Sequence, residues 1–175
     1  MIETERLVLR PWREADKAPF AALNADPEVR RYFPSVLTRA ESDASAEWIM
    51  GHFERHGFGF WAVERKTDGA FLGFNGLGHL RDDDVLFPAV EIGWRFAREA
   101  WGHGYATEGA RAALAYGFET LGLDEVIAYT ARGNARSEAV MRRIGMTRDP
   151  GRDFDHPRVA DGSPLKPHIV YAARR

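Results

Sequence analysis

The sequence predicts an α+β fold, with a mixed sheet of six to seven strands flanked by about four helices, in one domain covering residues 1–175. Three observations lead there. Short segments alternate in polarity: in Val90–Phe96, Ile92, Trp94 and Phe96 fall on one face and Glu91, Gly93 and Arg95 on the other. Longer segments carry helix signals, with apolar residues at Ala106, Ala110, Leu114, Gly117, Phe118 and Leu121 close to a 3.6-residue period. Strand and helix signals alternate only in the second half of the chain, which calls for a mixed sheet. At 175 residues and 45% hydrophobic content the chain can bury a sizeable core.

Each element has its own signal. Leu7-Val8-Leu9 reads as a short strand closed by Pro11, and Glu14 to Asn24 as a helix stopped by Asp26-Pro27. Residues 28–37 form a loop in which Tyr32-Phe33-Pro34 can line a pocket. Thr38 opens a helix to about Arg55, with Glu41 three residues on as a capping box. Phe58–Glu64 and Phe71–Leu80 are strands joined by the hairpin turn Lys66-Thr67-Asp68-Gly69. The charged turn Arg81-Asp82-Asp83-Asp84 leads into the strand ending at Phe96. A glycine turn and a helix to about Leu121 follow, then a strand at Glu125–Thr130 and a helix at Asn134–Ile144. A strand starts at Met146–Arg148, residues 150–164 are loop, and Ile169–Ala172 is the last strand. Trp48, Phe58, Phe60, Trp61 and Phe74 are expected in the core.

Composition removes several functions. With 24 basic and 26 acidic residues, no basic field points to nucleic acid. Without cysteine there is no disulfide, thiolate zinc site or cysteine nucleophile, which fits a reducing cytoplasm. The acidic Met1-Ile2-Glu3-Thr4-Glu5-Arg6 is unlike a signal peptide, and no apolar run approaches the roughly 18 residues of a membrane helix. His52 and His56 stand four apart on a helix but lack a third ligand, so a solvated face is expected and no metal. Asp153, Asp155 and His156 form a polar loop cluster with a structural or acceptor-side role.

The strand at 90–96, the glycine turn and the helix after it make a candidate anion site. Helix first turns present free N–H groups and a positive dipole end, and Gly102 and Gly104 let an anion approach the backbone. No lysine follows the second glycine, so this is no Walker loop, and Ala106-Thr107 breaks the dinucleotide fingerprint. From spacing alone the loop is either a phosphate cradle or a tight turn.

Trp101-Gly102-His103-Gly104-Tyr105-Ala106 resembles the acyl-CoA pyrophosphate loop of the GCN5-related N-acetyltransferases (GNAT), written Q/R-x-x-G-x-G/A. Gly104 and Ala106 match, and Trp101 stands where Gln or Arg is usual. The longer string from Glu91-Ile92-Gly93-Trp94 through Thr107-Glu108 is similar to the ribosomal-protein-alanine acetyltransferase (RimJ/RimL-like) branch. So are Glu3–Pro11 at the start, and Gly133-Asn134-Ala135-Arg136-Ser137 with Ile144-Gly145-Met146 near the end. The resemblance covers nearly the whole chain. It implies a mixed, mostly antiparallel GNAT-like sheet and transfer of an acetyl group from acetyl-CoA to a primary amine, in a ternary complex. The acceptor would be a protein N-terminus or a small molecule, with no metal, nucleic acid or membrane involved, and a homodimer is allowed.

The resemblance also implies roles. The cofactor-binding set is Trp94, Phe96, Trp101, Gly102, His103, Gly104, Tyr105, Ala106, Thr107, Asn134, Ser137 and Met141. The strand Trp94–Phe96 would meet pantetheine edge-on and offer an N–H to the developing oxyanion. Glu91, a carboxylate in mid-strand, reads as a general base or as one half of an ion pair with Arg95 or a neighbouring strand. Ser137 lies on the stripe Ser137, Val140, Met141, Ile144 and reads either as making a hydrogen bond to the cofactor's pantetheine or sulfur or as a hydroxyl bonded to its own helix. Asn134 suits an N-cap. Met141 stands where many members of the superfamily carry a general-acid tyrosine, which also admits a CoA-binding module without catalysis. A nucleotide-binding α/β protein whose loop mimics the motif is a further alternative. An α-amine is the easier acceptor: at pH 7 its deprotonation costs about 1.4 kcal/mol, against roughly 4.6 for a lysine.

Overall fold

A computed structural model describes residues 1–175. In chain order its regular elements are β1 (Ile2–Glu3), β2 (Leu7–Arg10), α1 (Lys17–Ala25), α2 (Arg39–His56), β3 (Phe60–Arg65), β4 (Phe71–His79) and β5 (Val90–Phe96). Then come α3 (Tyr105–Glu119), β6 (Glu125–Ala131), α4 (Ala135–Arg143), β7 (Thr147–Arg148), β8 (Phe154–Asp155) and β9 (Pro167–Arg174). The strands form one sheet in the order β1-β2-β3-β4-β5-β6-β9-β7, with β8 also on β9. Every pairing is antiparallel except β5–β6, which is parallel and crosses over through α3. No helix is long and apolar enough to cross a membrane.

The expected mixed sheet and four α-helices are present, and the strand count reaches nine because β1 and β8, two residues each, add to the edges. Two residues carry no alternation to read, so such strands exist only through their partners. The first helix starts later than its pattern suggests. Glu14–Asp16 is a 3-10 turn in which Asp16 accepts from the Arg13 amide at 2.7 Å and pairs with buried Arg10 at 2.7 Å. The capping box of α2 forms: Thr38 Oγ1 accepts from the Glu41 amide at 3.3 Å, and the Thr38 amide donates to Glu41 Oε2 at 2.8 Å.

The sheet is covered on both faces. Leu7, Leu9, Trp61, Val63, Leu77, Ile92 and Phe96 pack against Ala110, Ala113 and Leu114 of α3 and Val140 and Met141 of α4. Phe60, Ala62 and Phe74 pack on the opposite face against Phe20 and Leu23 of α1 and Ala46 and Ile49 of α2. A smaller cluster around Leu80, Ile127 and Val170 continues that second face. One inserted residue sets the phase of β4. Val63 pairs with Gly73 and Glu64 with Phe71, which leaves Leu72 unpaired in a bulge. Gly73 has φ 139°, and a Cβ there would lie 2.1 Å from the Arg95 carbonyl oxygen. Phe71 and Phe74 therefore serve the same helical layer although they are three residues apart.

Two sequence expectations fail. Trp48 is not core: it is 36% exposed, because the face of α2 that carries it looks onto an open cavity. His52 is not on a solvated face: it is 3% exposed. Its Nδ1–H donates to Phe58 O at 2.9 Å and its Nε2 accepts from the His79 amide at 3.1 Å, so both ring nitrogens are satisfied without metal or water. His56, one turn on, is exposed as expected.

The feature that positions the site is the β5–β6 pair. β4 and β5 are in register along all seven residues of β5, from Gly73↔Phe96 to His79↔Val90. β5 and β6 share a single register pair, Glu91↔Ile127. Beyond it the two strands part toward their C-terminal ends, and a gap opens in the middle of the sheet.

Candidate active site

A cavity of about 1770 Å³ occupies this gap and reaches both faces of the sheet. On the α3–α4 side it is lined by the loop before α3, the first turn of α3, and α4; on the α1–α2 side by Glu91, Arg95, Tyr129, Trp48, Tyr32 and Phe33. Tyr32 and Phe33 line it as expected, and Pro34 does not. The Tyr32 hydroxyl donates to Gly133 O at 3.2 Å and ties the loop before α2 to the turn before α4.

The loop is built by its glycines. Gly102 and Gly104 have φ of 82° and 81°, a region that L side chains adopt at a cost, and Gly104 is the N-cap of α3. No side chain caps this end, so the first-turn amides of a 15-residue helix are left open toward the cavity. Trp101 is fixed by its indole N–H, which donates to Phe96 O at 3.0 Å, and the Arg136 guanidinium lies 4.3 Å from its ring centroid. Arg6 reaches across from the N-terminus. It pairs with Glu108 at 2.6 Å, donates to His103 O at 2.9 Å, and sits 4.8 Å from the Tyr105 ring centroid. Arg111 and Arg143 line the same side. Open amides, a helix N-terminus and several guanidiniums suit phosphate groups.

Most of the residues read from the sequence come together here. Trp94, Phe96, Trp101, Gly102, Gly104, Tyr105, Ala106, Thr107, Asn134, Ser137 and Met141 all line the cavity. His103 does not; it is exposed, with its ring stacked on Tyr105 at 5.5 Å. Asn134 caps α4, its Oδ1 accepting from the Ser137 amide at 3.3 Å, while its Nδ2 donates to Thr130 Oγ1 at 2.9 Å. The Ser137 hydroxyl makes no hydrogen bond within the chain, so the bond to its own helix backbone is absent. Met141 is 1% exposed and contributes to both the core and the cavity wall.

Glu91 lies deep in the molecule yet keeps part of its surface open to the cavity. It forms no ion pair and no hydrogen bond, so the expected alternative, a pair with Arg95 or a neighbouring strand, does not occur. Burial, followed by the nearby charge of Asp84, raises its pKa to about 8. Arg95 instead donates to Asn24 Oδ1 at 2.9 Å. Its pKa falls to about 9 through burial first and Arg30 second.

Tyr129, Arg6 and Arg136 are site residues that sequence reasoning did not assign. Tyr129 shares the Glu91 side of the cavity, and its phenol pKa is raised by burial first and by Glu91 second. The alternation of β6 carries the signal, since Val126 and Ala128 serve one face and Ile127 and Tyr129 the other. Asp153 is structural: it pairs with Arg148 and accepts from the Val170 amide at 3.1 Å.

A family model described as acetyltransferase (GNAT) domain matches residues 6–147. The FsC-acetyl coenzyme A-N(2)-transacetylase of Aspergillus fumigatus is 34% identical over 153 residues, 83% of this chain and 64% of that protein. A crystal structure of an acetyltransferase from Agrobacterium tumefaciens C58 superposes with a TM-score of 0.81 at 28% identity, covering 99% of this chain and 94% of the other. RimL, a ribosomal L7/L12 α-N-protein acetyltransferase solved with coenzyme A, shares the fold with a TM-score of 0.76 at 16% identity, over 98% of this chain and 94% of its own.

Proposed function

Because the chain belongs to the GNAT acetyltransferase family, we propose that it transfers acetyl from acetyl-CoA to a primary amine, a protein N-terminus or a small molecule, by direct attack within a ternary complex. The observation that carries this is the single cavity through the β5–β6 gap, which joins an open helix N-terminus ringed by guanidiniums to an unpaired carboxylate on the opposite face.

In this reading the α3 loop holds the pyrophosphate. The amides of Tyr105, Ala106 and Thr107 supply donors, and Arg6, Arg136, Arg111 and Arg143 supply positive charge. Trp94 to Phe96, beyond the last rung with β6, offer backbone groups other than the Phe96 carbonyl, which Trp101 holds, to pantetheine and an N–H to the developing oxyanion. Glu91 takes the proton of the attacking amine, directly or through a water, and its raised pKa brings it close to that of an α-amine. The departing thiolate, with a thiol pKa near 8.5, leaves without full protonation, and the unengaged Ser137 hydroxyl donates one hydrogen bond to it. The RimJ/RimL-like motifs support an α-amine acceptor.

Thiol release from acetyl-CoA, measured over a panel of peptides and small amines, tests the reading. Turnover on an amine is the expected result. Release that does not depend on any amine, together with no thermal stabilisation by millimolar acetyl-CoA, would remove it.

A further inference from the structure

The α1–α2 side of the cavity holds a cation without a counter-ion. Arg95 lines the cavity, and no carboxylate lies within ion-pair distance of it. Its Nη1 donates to Asn24 Oδ1 at 2.9 Å, and its Nε is sealed from water with no partner at all. Nη2 also has no partner within the chain, but it is not sealed. Its two N–H donors are therefore available to whatever enters.

The guanidinium is also held in place. Asn24 is fully buried and donates through Nδ2 to Ser42 Oγ at 2.9 Å, so its Oδ1 is turned to Arg95. The rings of Phe33 and Phe74 lie 4.5 and 5.3 Å from the guanidinium carbon. Aromatic faces offset part of the loss of hydration but do not replace an anion. Of the other acids at the cavity, Glu108 pairs with Arg6 at 2.6 Å, Glu28 approaches Arg31 at 3.8 Å, and Glu5 is exposed to solvent. Glu91 keeps its proton up to a pH of about 8 and so does not balance Arg95 at neutral pH. Buried charges are nearly always paired, and an oriented, unpaired cation in a substrate cavity is completed when its partner arrives with the substrate.

Building on the acetyl-transfer reading, we infer that the acceptor carries a carboxylate that docks on Arg95 Nη2 while its amine faces Glu91. Arg95 and Glu91 are four residues apart on one face of β5, about 13 Å between their Cα atoms at strand rise. The carboxylate is therefore separated from the amine by several bonds, as in an ω-amino acid or a peptide with an acidic residue near its N-terminus. Polyamines and other dications are disfavoured at the same place by charge repulsion.

The test uses the full-length protein with acetyl-CoA and two arms of acceptors. One arm compares 6-aminohexanoate with its primary amide and with 1,6-diaminohexane. The other compares tetrapeptide amides that differ only in Asp, Asn or Lys at the second or third position. In at least one arm kcat/KM should be tenfold or more higher for the acidic member than for the neutral one, and the dication or lysine member should be poorest. The arm that responds distinguishes a small acceptor from a peptide. In Arg95→Gln the acidic preference should collapse to within threefold, with the acetyl-CoA-induced melting shift unchanged, and Arg95→Lys should retain part of the preference. The inference is overturned by equal kcat/KM across a responding arm, by a preference that survives Arg95→Gln, or by no turnover on either arm while acetyl-CoA binds. If acetyl-CoA itself fails to bind, the acetyl-transfer reading falls first, and the two failures are separable.

Discussion

Replacing Glu91 by Gln keeps the shape of the side chain and removes its titration, and the two consequences should have opposite signs. The folded protein raises the pKa of this carboxyl from its ordinary 4.5 to about 8. Between those values the folded state binds more protons than the unfolded one, so stability falls as pH rises through this window and levels off above about 8. At 1.36 kcal/mol per decade of proton affinity the gap corresponds to at most about 5 kcal/mol; with part of the side chain open to the cavity, about 2 kcal/mol is a reasonable expectation. Glu91→Gln lacks this penalty. Its Tm should match wild type near pH 4.5 and exceed it at pH 8.5 by roughly 4 to 8 °C for a domain of this size. Activity moves the other way. A general base contributes about 10² to 10⁴ in rate, so kcat/KM should drop by that range near neutral pH. In wild type only about a tenth of Glu91 is ionised at pH 7, so kcat/KM should climb toward a plateau above pH 8. The measurements are differential scanning calorimetry from pH 4.5 to 9 and initial rates over the ionisation window. A variant destabilised at pH 8.5 would reveal a carboxylate held by some attractive partner. A loss of less than about threefold in kcat/KM would leave the proton to a water.

Other expectations can be checked in parallel. Acetyl-CoA at 100 times its Kd should stabilise the fold by about 2.7 kcal/mol, read as a melting shift, and no shift at millimolar concentration contradicts the loop assignment. Gly104→Val places a β-branched residue at φ 81°, with no blocking neighbour nearer than Arg6 Nη2 at 3.6 Å from the new Cβ. Backbone strain should therefore dominate, and calorimetric CoA affinity should fall at least tenfold while the protein stays folded; unchanged affinity would place the phosphate elsewhere. Ser137→Ala should lower kcat by about 5- to 50-fold, roughly 1 to 2.3 kcal/mol, with the acetyl-CoA Kd little changed; a silent substitution would reduce Ser137 to a wall of the cavity. Met141→Ala should cost about 2 to 5 kcal/mol in denaturant unfolding, because Met141 is 1% exposed within the main core, and a much smaller loss would show that the cavity relaxes around it.

What could be read from the sequence was local. The alternation through Val90–Phe96, the Thr38–Glu41 capping box and the glycines before Tyr105 each fix a backbone state within a few residues, and each appears where its pattern put it. The cavity lining followed, apart from His103, because the loop and α4 carry their cavity-facing residues in short runs. What was not legible depends on neighbours far away in the chain. Trp48 and His52 sit one turn apart on α2, and nothing in their spacing says that Phe58 and the end of β4 cover one and the cavity leaves the other open. Glu91 asked for a partner, and only the packed structure shows that it has none. Arg6 meets Glu108 across 102 residues, a contact that no window along the sequence contains.

The lone rung at Glu91↔Ile127 has a consequence for the order of events at the site. A continuous sheet is a partition, and two molecules bound on its opposite faces never touch. Here the partition has a window, and the side chains around its frame belong to both rooms. A donor and an acceptor can enter through separate doors and meet in the frame, so neither has to vacate its seat for the other. In the proposed ternary-complex reading, group transfer needs no covalent relay through the protein to carry the acetyl group from one side to the other. Initial-rate plots that intersect, and not parallel ones, are the kinetic counterpart of this geometry.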